Sequence, residues 1–133
     1  MKRSLNMICG TLMLIMLMGG SSTAQESAKR IDAAIKVGNA QALSAYFGPK
    51  VDLTLLDKQD NYSKAQAEQI LRGFFAKHQV TDYKVIHHGS AKDGAEYYIG
   101  SLSTSEQQFR TYLLVRSGNS KKRIQQLRIE SSD

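Results

Sequence analysis

Apolar and polar positions repeat along this chain with two different periods, and the changes of period divide it into elements. Residues 27–37 carry Ala28, Ile31, Ala34 and Ile35 three or four positions apart, the spacing that gathers side chains on one face of a helix. Gly38 offers a stop, because glycine reaches the left-handed backbone region that ends helices. Asn39 is suited to cap a second short helix with Ala40, Leu43 and Phe47 on its inner stripe, which Gly48 and Pro49 would close. Residues 51–55 change to strict alternation, the period of a half-buried strand. The polar run 56–61 reads as a connection.

Ser63 opens the best-defined helix. Ser63 and Gln66 have the spacing of a capping box, in which each side chain satisfies a free backbone donor of the other residue. Ala67, Ile70, Leu71, Phe74 and Phe75 follow at helical spacing and predict a helix to about His78. Four strand-like runs finish the chain, at 81–88, 95–102, 108–116 and 123–129, separated by turn-forming stretches. Short successive connections favour an antiparallel meander. In the third run Phe109, Thr111, Leu113 and Val115 share the face expected to meet the core, opposite Arg110, Tyr112, Leu114 and Arg116. Ile124 conflicts in parity with Leu127 and Ile129, which predicts a bulge or an irregular edge in the last run. Helices gathered on one side of an antiparallel sheet belong to the α+β class.

The first two dozen residues follow another logic. Lys2 and Arg3 precede an uncharged run from Met7 to Met18, and small residues from Gly19 to Ala24 end it. A positive start, a short apolar run and a small-residue exit predict a secretory signal peptide over residues 1–24, with Gln25 opening a single domain over 25–133. The run is shorter than the roughly 20 residues a membrane span needs, so no permanent anchor is expected. Cys9 lies near the start of that run, not at its end, which does not suit a lipoprotein. Cleavage would remove this sole cysteine, so the exported domain would depend on packing and hydrogen bonds, not disulfides. Its expected location is the periplasm or the medium.

Loss of Lys2 and Arg3 lowers the net charge from +6 by two. The remaining charge is dispersed. Its densest cluster is Lys121, Lys122 and Arg123, read as a solvated turn or as a contact for an anionic partner. With no binding motif and with export expected, nucleic acid is not an expected partner.

Several local phrases resemble a family of small secreted bacterial proteins of unassigned function with the nuclear-transport-factor-2-like (cystatin-like) fold. They are residues 35–42 (IKVGNAQA), 43–47 (LSAYF), 62–75 (YSKAQAEQILRGFF), 88–89, 98–102 (YIGSL) and 109–112 (FRTY). The resemblance covers essentially the whole mature chain. It implies a cone in which two N-terminal helices and one long helix pack on a curved antiparallel sheet. The cone can serve as an enzyme pocket, a binding cleft or a filled core, and dimerisation through the outer sheet face is common in that superfamily. Such a likeness carries fold, not function.

Candidate chemistry is sparse. His87 and His88 are adjacent on a strand and point to opposite faces, so a two-histidine metal site is disfavoured and neither metal nor cofactor is expected. No nucleophile elbow, P-loop or dinucleotide motif occurs. Asp52, Tyr83, His87, Tyr97 and Tyr112 offer groups for acid–base work, but their spacing singles out no base–donor pair. The favoured expectation is non-enzymatic binding of a small apolar ligand or an envelope protein. Phe74, Phe75, Tyr83, His87 and Tyr97 are the candidate lining of a pocket between the long helix and the sheet. Tyr98, Arg110, Tyr112 and Arg116 are candidates for an outer surface that meets a partner or a second copy, since tyrosine and arginine are enriched where interfaces bind tightly. The alternatives are a small lyase or isomerase using a tyrosine and a carboxylate in the same pocket, and a structural dimerisation protein with a filled cone.

Overall fold

The computed structural model describes residues 23–117 and 122–133. The expected signal peptide falls outside the described residues as far as Ser22, as do Gly118, Asn119 and Ser120 of the last expected turn. Helix α1 (Thr23–Lys36) buries Ile31, Ala34 and Ile35, and Gly38, at φ 65°, turns the chain after it. Asn39 caps α2 (Ala40–Ser44), its side chain accepting from the Ala42 amide at 3.0 Å. Helix α3 (Lys64–Lys77) opens on the expected capping box between Ser63 and Gln66 and buries Ala67, Leu71, Phe74 and Phe75.

The sheet has six strands, β1 (Phe47–Leu55), β2 (Lys58–Ser63), β3 (Val80–Ser90), β4 (Ala95–Thr104), β5 (Gln108–Ser117) and β6 (Lys122–Ser131). Their order is β2-β1-β6-β5-β4-β3. Strands β3 to β6 form the expected meander, but β1 returns parallel to β6, so the sheet is antiparallel in all pairs except that one. Among the described residues the architecture is α+β, three α-helices packed on a curved six-stranded sheet.

Two expectations near the N-terminus are corrected. Phe47 is not on the second helix; it opens β1 and is fully buried beside Ile124. Gly48 and Pro49 lie within β1, in the interval between Phe47 and Asp52 where pairing with β6 is interrupted, the kind of site where a residue without an N–H costs no ladder bond. The polar run 56–61 is not a loop either. Most of it forms edge strand β2, which joins β1 through the two-residue turn at Leu56 and Asp57. An edge strand with one wet face needs no apolar alternation, so its sequence looks like a connection.

The bulge expected in the last run is present. The β5–β6 register shifts between Leu114 and Val115, leaving Gln125 as the extra residue, and Ile124, Leu127 and Ile129 are all buried. A second offset, between Val85 and His87, leaves Ile86 unpaired and 66% exposed. Each such bulge bends its strand and adds to the curvature that lets helices lie across one face.

The space between α3 and the sheet is core. Phe74 meets Phe75 and Phe109 edge to face at 5.8 and 5.3 Å, in one core with Leu53, Leu102 and Leu127. Tyr83 also packs into this core, and its ring occupies the volume above Gly100. A Cβ at Gly100 would lie 2.6 Å from a Tyr83 ring carbon and 2.8 Å from the Thr111 hydroxyl. Both neighbours are buried, so neither can swing away. Gly100→Ala should therefore cost about 1–3 kcal/mol by overpacking, read as a lower denaturant midpoint at unchanged slope.

Candidate functional site

Side chains of a strand alternate between faces, so register decides what reaches the helix-covered side. Tyr83 and Val85 of β3 lie opposite Leu102 and Gly100 of β4 and face the helices. The Ile86 bulge inverts the parity beyond it. His87 then pairs with Ile99 on the outer face, and His88 pairs with Tyr98 on the inner one. On β4, Leu102, Gly100, Tyr98 and Glu96 oppose Phe109, Thr111, Leu113 and Val115, the inward residues of β5. On β6, Lys122 shares its face with Ile124.

The consequence is a polar cluster at one end of the inner face. The Lys122 ammonium, with a side chain only 7% exposed, donates to Glu96 Oε2 and, at 2.8 Å, to the Tyr98 hydroxyl. Tyr98 in turn donates to the same Glu96 oxygen at 2.6 Å. The His88 ring stacks on Tyr98 at 5.6 Å and 11°. The Lys122 hydrogen bond, joined by that of Tyr98, holds the Glu96 carboxyl below its ordinary range. Burial pushes the Tyr98 hydroxyl up, and Glu96 adds to the effect. Burial alone would lower Lys122, but its hydrogen bonds to Glu96 and Tyr98 outweigh it and leave the ammonium raised.

Next to this cluster, α1 bridges the sheet without filling the space beneath it. A cavity of about 180 Å³ is lined by Ala28, Ile31, Val85, Leu113 and Val115, with Tyr98 and Lys122 at its polar end and Lys29 and Asp32 at its rim. A wider opening of about 670 Å³ adjoins it through the shared Lys122, Tyr98, Ala28 and Lys29 and adds Gln25, His88 and Glu96.

The residues expected to line a pocket are thus dispersed. Phe74 belongs to the core beneath α3, and Phe75 borders a shallow surface groove with Gly38, Asn39 and Arg72. Tyr83 is buried, hydrogen-bonds Thr111 at 3.5 Å, and has its hydroxyl pushed up to about 12 chiefly by burial, with a small addition from Asp32. His87 and Tyr97 sit on the outer face instead of inside, joined by a 3.1 Å hydrogen bond, because the Ile86 bulge and the β4 register turn them outward. Tyr98, expected outside, is the inward one of the tyrosine pair for the same reason.

Arg110, Tyr112 and Arg116 do lie on the outer face. Tyr112 is nearly parallel to Tyr97, 6.3 Å away, and Arg116 donates to the Asp93 carbonyl at 2.8 Å and lies opposite Arg123. Asp52 is outward too, holding Gln59 at 3.2 Å. Glu96 is not singled out by the sequence, and Lys122, read there as part of a solvated or partner-facing basic cluster, is instead buried on β6. The signal for Lys122 was its two-residue offset from Ile124, legible only once Ile124 is known to face inward. Among the described residues, no three His, Cys, Asp or Glu side chains gather as a metal site, and no helix is long and apolar enough to cross a membrane.

A family model described as Domain of unknown function (DUF4783) matches residues 28–130. The chain belongs to that family. It is 35% identical to a crystallised DUF4783 family protein from Bacteroides uniformis ATCC 8492, over 79% of this chain and 96% of that one, with a TM-score of 0.73. An NTF2 design with a long sheet is 15% identical over 80% of this chain and 98% of its own, TM-score 0.64. A Nostoc punctiforme PCC 73102 domain of unknown function with a cystatin-like fold is 11% identical over 81% and 74%, TM-score 0.63. The last two show the fold alone, and they agree with the resemblance drawn from the sequence. No curated protein matches the chain.

The Glu96 carboxyl is lower in the folded DUF4783 domain than in the unfolded chain, so its pairing stabilises the fold above the ordinary carboxylate range and is lost as pH falls through the lowered value. Thermal midpoints followed from roughly pH 5 to pH 3 should fall more steeply for the wild type than for Glu96→Gln. Parallel curves would mean that the pair contributes nothing to stability.

Proposed function

We propose that this DUF4783 protein is an exported, non-enzymatic binding domain whose site is the cavity beneath α1. The observation that carries this reading is the lining itself: Ile31, Val85, Leu113 and Val115 line about 180 Å³ that ends on the buried Lys122 and the half-buried Tyr98. An apolar cavity of about 150 Å³ is enough to hold a benzene-sized molecule. Apolar walls with a few convergent polar groups are the usual make-up of a small-ligand site. Export rests on the charged start, short apolar run and small-residue exit of residues 1–24.

Glu96 and Tyr98 favour a second reading, a lyase or isomerase, because they place a carboxylate and a tyrosine within 2.6 Å of each other. The electrostatics weigh against it. A general base works best with a pKa near the operating pH, and Lys122 moves Glu96 the other way. The Tyr98 hydroxyl proton is also committed to Glu96 instead of pointing at a substrate.

Two measurements test the proposal. Intact mass of the protein recovered from a Gram-negative host should correspond to a chain beginning at Gln25, and a retained leader would contradict export. Toluene at saturation should raise the thermal midpoint of the purified protein by about 4 °C or more, as expected for a ligand that binds only the folded state. Val115→Trp, which fills the cavity, should remove the shift. A toluene effect that survives the filling would place binding elsewhere.

A further inference from the structure

We infer that the ligand of the α1 cavity carries an uncharged acceptor oxygen, a carbonyl or hydroxyl, that takes the remaining N–H of Lys122. The inference rests on the binding reading above and specifies the ligand's chemistry. An ammonium group has three donors and no acceptor. Two of the Lys122 donors are committed, one to Glu96 and one to the Tyr98 hydroxyl. Among the described residues no protein acceptor takes the third, although the side chain is only 7% exposed. The Tyr98 ring, whose centroid is 5.3 Å from Nζ, offers a weak contact but no lone pair. Buried donors are rarely left unmatched in folded proteins, and this one borders both the cavity and its wider opening.

Charge selects among acceptors. The groups around Lys122 are Glu96 and Tyr98 from β4, His88 from β3, and Lys29 and Asp32 from α1. Glu96 already neutralises Lys122, so a ligand carboxylate on the third donor would sit against a carboxylate held firmly ionised. Two carboxylates sharing one site repel. A cationic ligand would meet the ammonium itself. A neutral oxygen accepts the free N–H without disturbing the pair, and the rest of the molecule faces Ile31, Leu113 and Val115. Tyr98 cannot replace Lys122 as donor, because its hydroxyl already donates to Glu96.

The test compares three molecules of nearly equal shape by calorimetric titration of the purified protein. Acetophenone has a carbonyl where α-methylstyrene has a methylene group, and benzoate carries the charge. Acetophenone should bind about tenfold more tightly than α-methylstyrene, the difference a hydrogen bond to a charged donor makes, and benzoate no more tightly than α-methylstyrene. Lys122→Met should bring the acetophenone to α-methylstyrene ratio to about one. If that variant does not fold, the wild-type ratio still decides, and the Lys122 Cε resonance should move on adding acetophenone but not α-methylstyrene. Equal affinity for acetophenone and α-methylstyrene overturns the inference while leaving the cavity a binding site. Tighter binding of benzoate also overturns it, in favour of an anion site. Failure of all three to bind refutes the binding reading and this inference with it.

Discussion

Side chains on a strand alternate with a period of two, and the inner face of this sheet depends on where that alternation is broken. Two single-residue bulges decide this at the end that holds the polar cluster, Ile86 on β3 and Gln125 on β6, while a third offset, at Thr81, lies at the far end of β3. Without the second, a face holding Leu127 and Ile129 would also hold Arg123, and Lys122 would point outward. Without the first, a face holding Tyr83 and Val85 would continue to His87, and His88 would lie outside. One extra residue in each strand therefore exchanges two neighbours between solvent and interior. The bulges bring Lys122 and His88 to Tyr98 and Glu96, and they also curve the sheet so that α1 can bridge it.

A buried ammonium is tolerable only when a counter-charge and hydrogen bonds replace its water. Lys122 has one of each kind, and the arrangement is asymmetric: its own side chain is almost fully buried, while that of Glu96 is 40% exposed. Glu96 thus stands at the mouth of the site, partly solvated, and Lys122 stands at its floor. The carboxylate's exposure limits how much the pair contributes to stability, since water screens it. The same exposure leaves the cluster open to the wider space that Gln25 and His88 also border. An ion pair sealed on all sides could only be structural. This one has a face available to something else.

Much of the fold was legible in the sequence. The capping box at Ser63 and Gln66, the stripe from Ala67 to Phe75, the inward set from Phe109 to Val115 and the parity conflict at Ile124 each follow from a single local rule, and each is present as expected. The misread parts involve pairing, which local rules do not contain. Strand β2 was invisible because a polar edge strand resembles a loop. Phe47 reads as helical because Gly48 and Pro49 look like a terminator, whereas they sit in the unpaired interval of β1. The candidate site was less legible still. Tyr97 and Tyr98 are chemically identical neighbours, so choosing between them requires the register of β4 against β5. Glu96 and Lys122 are 26 residues apart and meet only because β4 and β6 flank β5.

The cavity itself follows from the sizes of the residues on two helices. Along α3 the inward stripe ends in Phe74 and Phe75, and Phe74 reaches across to Phe109 and fills the space between α3 and the sheet. Along α1 the residues that face the far end of the sheet are smaller, with Ala28 one turn before Ile31. A helix axis cannot follow a bulged, curving sheet at constant distance, and only long side chains make up the difference. Phenylalanine does so under α3; alanine does not under α1. The opening is therefore written into the same amphipathic pattern that folds the helix: Ile31, Ala34 and Ile35 anchor α1 to the core, and Ala28, on the same stripe one turn earlier, leaves room beside Lys122.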